Sequence, residues 1–124
     1  MQLARSETQE QISFIKRAEL ILTPDFKNFL WGSAAGVRTS PRQAVTAKRM
    51  GSRKGIPDVT LMLPRGNFHG LCIEMKRLYP HKGSVKPEQR LMIAELNAEG
   101  YSAHIAYGAD EAFDILTNYL TLDN

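Results

Sequence analysis

The sequence has one cysteine, Cys72, in 124 residues. That excludes an intramolecular disulfide and a cysteine-rich zinc site. Cys72 lies in an apolar run, where a buried, inert thiol is the plain expectation. The opening residues, Met1-Gln2-Leu3-Ala4-Arg5-Ser6-Glu7, form no hydrophobic leader, and no run is long and apolar enough to span a bilayer. A cytoplasmic chain with no membrane partner is expected. Repeats, low-complexity tracts and linkers are also missing, so residues 1–124 read as a single domain. Acidic residues are absent from one long stretch, between Asp25 and Asp58. Lys27, Arg38, Arg42, Lys48, Arg49, Arg53 and Lys54 stand in that gap. A second basic stretch holds Lys76, Arg77, His81, Lys82, Lys86 and Arg90, diluted only by Glu88. The net charge is only +3, so the distribution rather than the total points to a polyanion. The plain alternative is a solvated basic surface.

Hydrophobic residues make up 43% of the chain and charged residues 23%, which suits a soluble domain with a real core. Ser6 and Gln9 form a capping-box pattern, and a helix is predicted from there to about Leu22, before Pro24. Glu7, Gln11, Phe14 and Ala18 share one side of it, which places Glu7 near the apolar face and Glu10 further round towards solvent. Phe26 to Trp31 reads as a strand entering a glycine-rich segment. Ser40 and Pro41 start a helix to about Met50, and Gly51 ends it. Val59–Leu63 and Leu71–Lys76 are strands joined by Pro64-Arg65-Gly66-Asn67, a turn sequence. A helix follows from about Pro87 to Ala98, then a strand over 101–107 and a helix from Ala109 to Leu120. The order is α-β-(α)-β-β-α-β-α, an α/β fold with a mixed central sheet flanked by helices.

The chemistry gathers on the hairpin from Gly55 to Lys76. Both of its strands are apolar on both faces, as in central strands covered on two sides. Charges at Asp58, Glu74 and Lys76 are costly there unless paired or holding a metal. Glu74 and Lys76 are two apart and point to one face; the hairpin brings Asp58 beside them. Oxygen ligands without a thiolate pair suit Mg²⁺ or Mn²⁺. Such an ion activates water and neutralises a phosphodiester. Asp58 and Glu74 would be the ligands, with the Met75 backbone carbonyl between acid and lysine. Lys76 would orient water or stabilise the developing charge. Glu7 completes the shell directly or through water, or is simply a first-turn acid favoured by the helix dipole. The Gln89 amide would hold the Lys76 amine or a phosphate oxygen, or lie on the surface. Arg38, Arg42, Lys48, Arg49, Arg53, Lys54, Lys82 and Lys86 are the candidate DNA contacts.

Gly55-Ile56-Pro57-Asp58, then Ile73-Glu74-Met75-Lys76, then Gln89, resembles the VRR-NUC (virus-type replication-repair nuclease) branch of the PD-(D/E)xK nucleases. The resemblance covers most of the chain and includes Gln11 one turn after Glu7. It implies a restriction-endonuclease-like αβββαβ core. It also implies that Asp58 and Glu74 bind the metal with the Met75 carbonyl, that Lys76 is catalytic, and that Gln89 is the motif glutamine. The helix-one acid matches Glu7 best, with Glu10 as the alternative. Stand-alone phage and bacterial members resemble homodimers that cut branched DNA, Holliday junctions in particular. The expectation is therefore a Mg²⁺- or Mn²⁺-dependent, structure-selective DNA endonuclease, a homodimeric junction resolvase acting on branched or duplex DNA in a bacterial or phage-infected cell. No small-molecule cofactor is expected. The alternatives are a flap- or nick-directed repair nuclease, a non-catalytic DNA-binding module, and a restriction-type enzyme reading a duplex site. Apolar surface on the first helix and around Phe29 and Trp31 serves either a dimer contact or the core.

Overall fold

Ser6 caps the first helix as its sequence asks. Its hydroxyl accepts the Gln9 N–H, and the Gln9 side chain returns a bond to the Ser6 N–H. In the computed structural model, which describes residues 4–34, 37 and 39–123, this helix, α1, runs Glu7–Ile21. Pro24 then starts a single helical turn, α2 (Pro24–Lys27), where a strand was expected. Proline favours the first helical position, since it has no N–H to leave unpaired and its φ is already helical. The edge strand β1 is left with Leu30–Gly32. Helix α3 (Pro41–Arg49) repeats the capping box with Ser40 and Gln43. Strand β2 (Val59–Leu61) and strand β3 (Leu71–Lys76) form the expected hairpin. Helix α4 (Pro87–Ala98), strand β4 (Ser102–Tyr107) and helix α5 (Ala109–Leu120) complete the chain.

The sheet has four strands in the order β1-β2-β3-β4. The first two pairings are antiparallel, and β3 and β4 run parallel, which requires a crossover that α4 supplies. Alternation along the strands sorts the sheet into two faces with different tasks. Val59, Leu61, Leu71, Ile73, Met75 and Ala106 point one way, onto Phe14, Ala18 and Leu22 of α1 and Ala112, Leu116 and Tyr119 of α5. This is the core. Trp31, Thr60, Cys72 and Ala103 are aligned across the four strands and belong to the opposite face, as do Asp58, Glu74 and Lys76 by parity. Helix α4 covers the β4 end of that face. The Asn97 side chain ties it there by bonding both the N–H and the carbonyl of Ala103. Cys72 is buried as expected, and burial pushes its thiol up.

One expectation about α1 is overturned. Glu10 is not on the open side; it is only 5% exposed and shares the buried stripe with Phe14 and Ala18. The reason is α5, whose first turn has glycine at its cap and no capping side chain of its own. Glu10 reaches across, accepts the Ala109 N–H at 3.2 Å, and pairs with Arg5 at 3.4 Å. A carboxylate at a helix N-terminus faces its positive end. Glu10→Ala should therefore cost about 2 kcal/mol in urea unfolding, from the lost dipole interaction and an N–H left without its partner. Glu10→Gln should recover part of it. An unchanged midpoint in Glu10→Ala would remove this contact from the account.

Candidate active site

Strand β2 ends before β3 does. The last residues of β3 are paired only with β4, so the β2 side of Glu74-Met75-Lys76 is open to other groups. Asp58, just before β2, occupies that place: its Oδ2 accepts the Met75 N–H at 2.8 Å. The N–H and carbonyl of one strand residue lie on the same edge. The Lys76 carbonyl is turned to β4, where it accepts the Gly108 N–H, so the Met75 carbonyl is turned to Asp58. Two carboxylates and a backbone carbonyl thus converge where the hairpin frays. All six residues of β3 are buried, and Glu74 and Lys76 are 2% and 3% exposed.

Each charged group is held by a different element. Gln89, in the first turn of α4, accepts the Lys86 N–H through Oε1 at 2.9 Å, which turns its Nε2 to donate to Glu74 Oε2 at 3.0 Å. Its partner is therefore Glu74, not the Lys76 amine or a free phosphate site. Lys76 Nζ stands 3.6 Å from Glu74 Oε2 and 3.9 Å from Glu7 Oε1. Both exceed hydrogen-bond length, so the amine is held by charge between two acids. Glu7 is thus the helix-one acid at Lys76, while Glu10 is committed to α5. Gly83 roofs this group from the following loop. A Cβ there would stand 2.9 Å from Glu7 Oε2 and 3.5 Å from Lys76 Cδ, so it would push the Glu7 carboxylate aside.

Glu74 is short of positive charge. Its Oε1 is buried with no hydrogen-bond partner. Its pKa is pushed up to about 8, chiefly by burial, then by the Asp58 charge and the hydrogen bond the two acids can share. Lys76 opposes the rise and Glu7 adds to it. The unfolded carboxyl ionises near 4.5. Between those values the folded chain keeps a proton that the unfolded chain has released, so stability falls as pH rises through this window. In chelator, urea titrations should show that decline in the parent, and Glu74→Gln should flatten it and be roughly 1–3 kcal/mol more stable at pH 8. A parent curve already flat from pH 5 to 8 would contradict the assigned strain.

This donor set fits a divalent cation. An orphaned buried carboxylate oxygen, a second carboxylate and a carbonyl are hard oxygen ligands, and Mg²⁺ commonly rests on one or two carboxylates and keeps several waters. Among the described residues no group of three or more His, Cys, Asp or Glu side chains is placed to hold an ion. Asp58 and Glu74 are the side chains that would hold it, beside the Met75 carbonyl.

A cleft of about 1170 Å³ opens over Asp58. Helix α3 and the loop after it form one wall with Lys48, Arg53 and Lys54; Lys86 and Gln89 form the other; Trp31 stands at the β1 end. Every residue of α3 is exposed, so that helix stands out from the sheet. Gly55, at φ +81°, lets the loop press onto α4: a Cβ there would be 2.7 Å from the Glu88 carbonyl oxygen. Of the basic candidates, Lys48, Arg53, Lys54 and Lys86 meet at the cleft. Arg42 and Arg49 lie on exposed α3 outside its lining. The Lys82 amine sits 4.8 Å over the Tyr107 ring, and Arg38 is outside the described residues. Sequence reasoning left Trp31 between core and dimer contact; it is 51% exposed and lines the cleft. Its strand lies at the sheet edge, which three strand residues alone could not reveal.

The family model of the VRR-NUC domain matches residues 32–110. That span contains Asp58, Glu74, Lys76 and Gln89 and leaves out Glu7. A solved structure of a VRR_NUC domain protein is similar over 99% of this chain and 94% of its own, with 26% identity and a TM-score of 0.81. No curated protein matches the chain.

Proposed function

Because the chain belongs to the VRR-NUC family, a nuclease family, we propose that it is a divalent-metal-dependent, structure-selective DNA endonuclease, and specifically a homodimeric Holliday junction resolvase using Mg²⁺ or Mn²⁺. The observation that carries this reading is the Asp58–Glu74 pair with its orphaned Glu74 oxygen and adjacent Lys76, at a cleft edged by Lys48, Arg53, Lys54 and Lys86.

A divalent cation bound by this pair supplies Lewis-acid neutralisation of a phosphodiester. The chain's residues do the rest. The four basic side chains draw the phosphate backbone into the cleft. The Met75 N–H fixes Asp58, and Gln89 fixes one oxygen of Glu74. Lys76, held by charge rather than by a locked hydrogen bond, offers its protons to the phosphate oxygens as negative charge grows on them. Glu7, 3.9 Å from Nζ, holds the amine in place by charge.

A two-fold dimer would set two such sites against two strands of a symmetric junction and double the basic surface. Ile12 and Leu20 of α1, 51% and 86% exposed, provide apolar surface for that contact. Among the described residues no helix is long and apolar enough to cross a membrane.

The test compares initial cleavage rates on a four-way junction, a flap, a nicked duplex and a linear duplex, with light scattering on the same protein. Fastest cutting of the junction by a dimer is expected. Preference for the flap or nick removes the junction clause. Sequence-specific cutting of linear duplex replaces it with a restriction-type activity. Salt-sensitive binding without products leaves a DNA-binding module.

A further inference from the structure

Trp31 is the chain's only tryptophan. Half of it is exposed, although burial of so large an apolar ring contributes strongly to stability wherever the fold allows it. It pairs with Thr60 across β1 and β2, one step from the Asp58 position on the same face. The next bond in that ladder runs from the Ser33 N–H to the Asp58 carbonyl, at 2.7 Å. Diagonal neighbours of this kind are roughly 7–8 Å apart, within reach of an aromatic side chain. The indole therefore lines the same cleft as Asp58, whose other walls carry Lys48, Arg53, Lys54 and Lys86. A flat apolar ring among cations matches a nucleotide: the cations hold phosphate, and the ring offers a stacking face.

Such a ring gains little from intact duplex, whose base faces are covered by neighbouring pairs and whose grooves present only edges. It gains most from a base already out of the stack. We infer that Trp31 is a stacking platform for an unpaired nucleotide next to the scissile phosphate, so that the site selects DNA opened at a branch point over continuous duplex. The position next to a scissile phosphate rests on the nuclease reading, but the stacking itself does not require cleavage.

The test is run in EDTA, where no cutting occurs, and uses the lone tryptophan as its own reporter. One probe is a duplex carrying a short branch of unpaired thymidines; the other is the same duplex fully paired. The branched probe should quench Trp31 fluorescence at saturation, and the paired probe should leave it nearly unchanged. Trp31→Ala should weaken branched-probe binding on the order of 10- to 100-fold, the range that base–aromatic stacking commands, and paired-probe binding much less. Trp31→Phe should keep most of the affinity. Trp31→Leu, which preserves apolar bulk without a ring, should not. Equal losses on both probes, full rescue by leucine, or an unquenched parent would overturn the proposal. So would a Trp31→Ala chain that light scattering shows to have lost a dimer, since the ring would then face a second copy. Quenching without cleavage in a parallel metal assay keeps the platform and removes the nuclease. Cleavage without quenching does the reverse.

Discussion

Asp58→Ala should slow DNA cleavage by about 10³-fold, the upper end of what loss of one preorganised electrostatic group costs at a reacting centre, while DNA binding stays equal or tightens. The two halves come from the same geometry. Asp58 faces Glu74 and is anchored on the Met75 N–H, so without it a bound cation would lose one of its two carboxylates. Asp58 is also a negative charge on the lining of a basic cleft, and removing it favours a polyanion. Asp58→Asn separates the charge from the anchor, because its amide oxygen can still accept the Met75 N–H. It should be nearly as inactive and melt close to the parent. Cleavage by Asp58→Asn at the parental rate would take Asp58 out of the site.

Lys76→Ala should cut about 10²- to 10³-fold more slowly. Nζ is the positive charge nearest Glu74, and Glu7 and the Gly83 roof keep it there. Arginine should not rescue it. A compact ammonium and a planar guanidinium present their donors differently. The substitution has a second signature. Lys76 is the neighbour that holds the Glu74 carboxyl down, so its loss lets that carboxyl rise further. Residual cleavage should then need a higher pH than the parent does. Parental rates, or a residual pH profile identical to the parent's, would show that Lys76 acts elsewhere.

Much of this was legible in the sequence because it is written locally. Ser6 with Gln9 and Ser40 with Gln43 are complete caps, and both helices start where those residues put them. The run Leu71–Lys76, with two charges of one parity among apolar residues, gives both the central strand and the face that carries the chemistry. Partners distant in sequence are not written locally. The broad apolar side of α1 leaves its rotation open, and only α5 decides that Glu10 rather than Glu7 is buried. Pro24 carried a helix-start signal that the aromatic run after it masked. The basic residues were countable, but their division between the cleft, the outer side of α3 and the Tyr107 ring depends on where α3 and α4 sit. Spacing alone suits Gln89 to a surface glutamine, the family resemblance is what singles it out, and its bond to Glu74 needs α4 in place.

The most direct measurement is single-turnover cleavage of an end-labelled four-way junction by the parent chain, run with Mg²⁺, with Mn²⁺ and with EDTA. Defined products with either cation and none in EDTA are the result expected from a carboxylate pair with one orphaned buried oxygen beside Lys76. No products with either cation, or cleavage undiminished in EDTA, would contradict it.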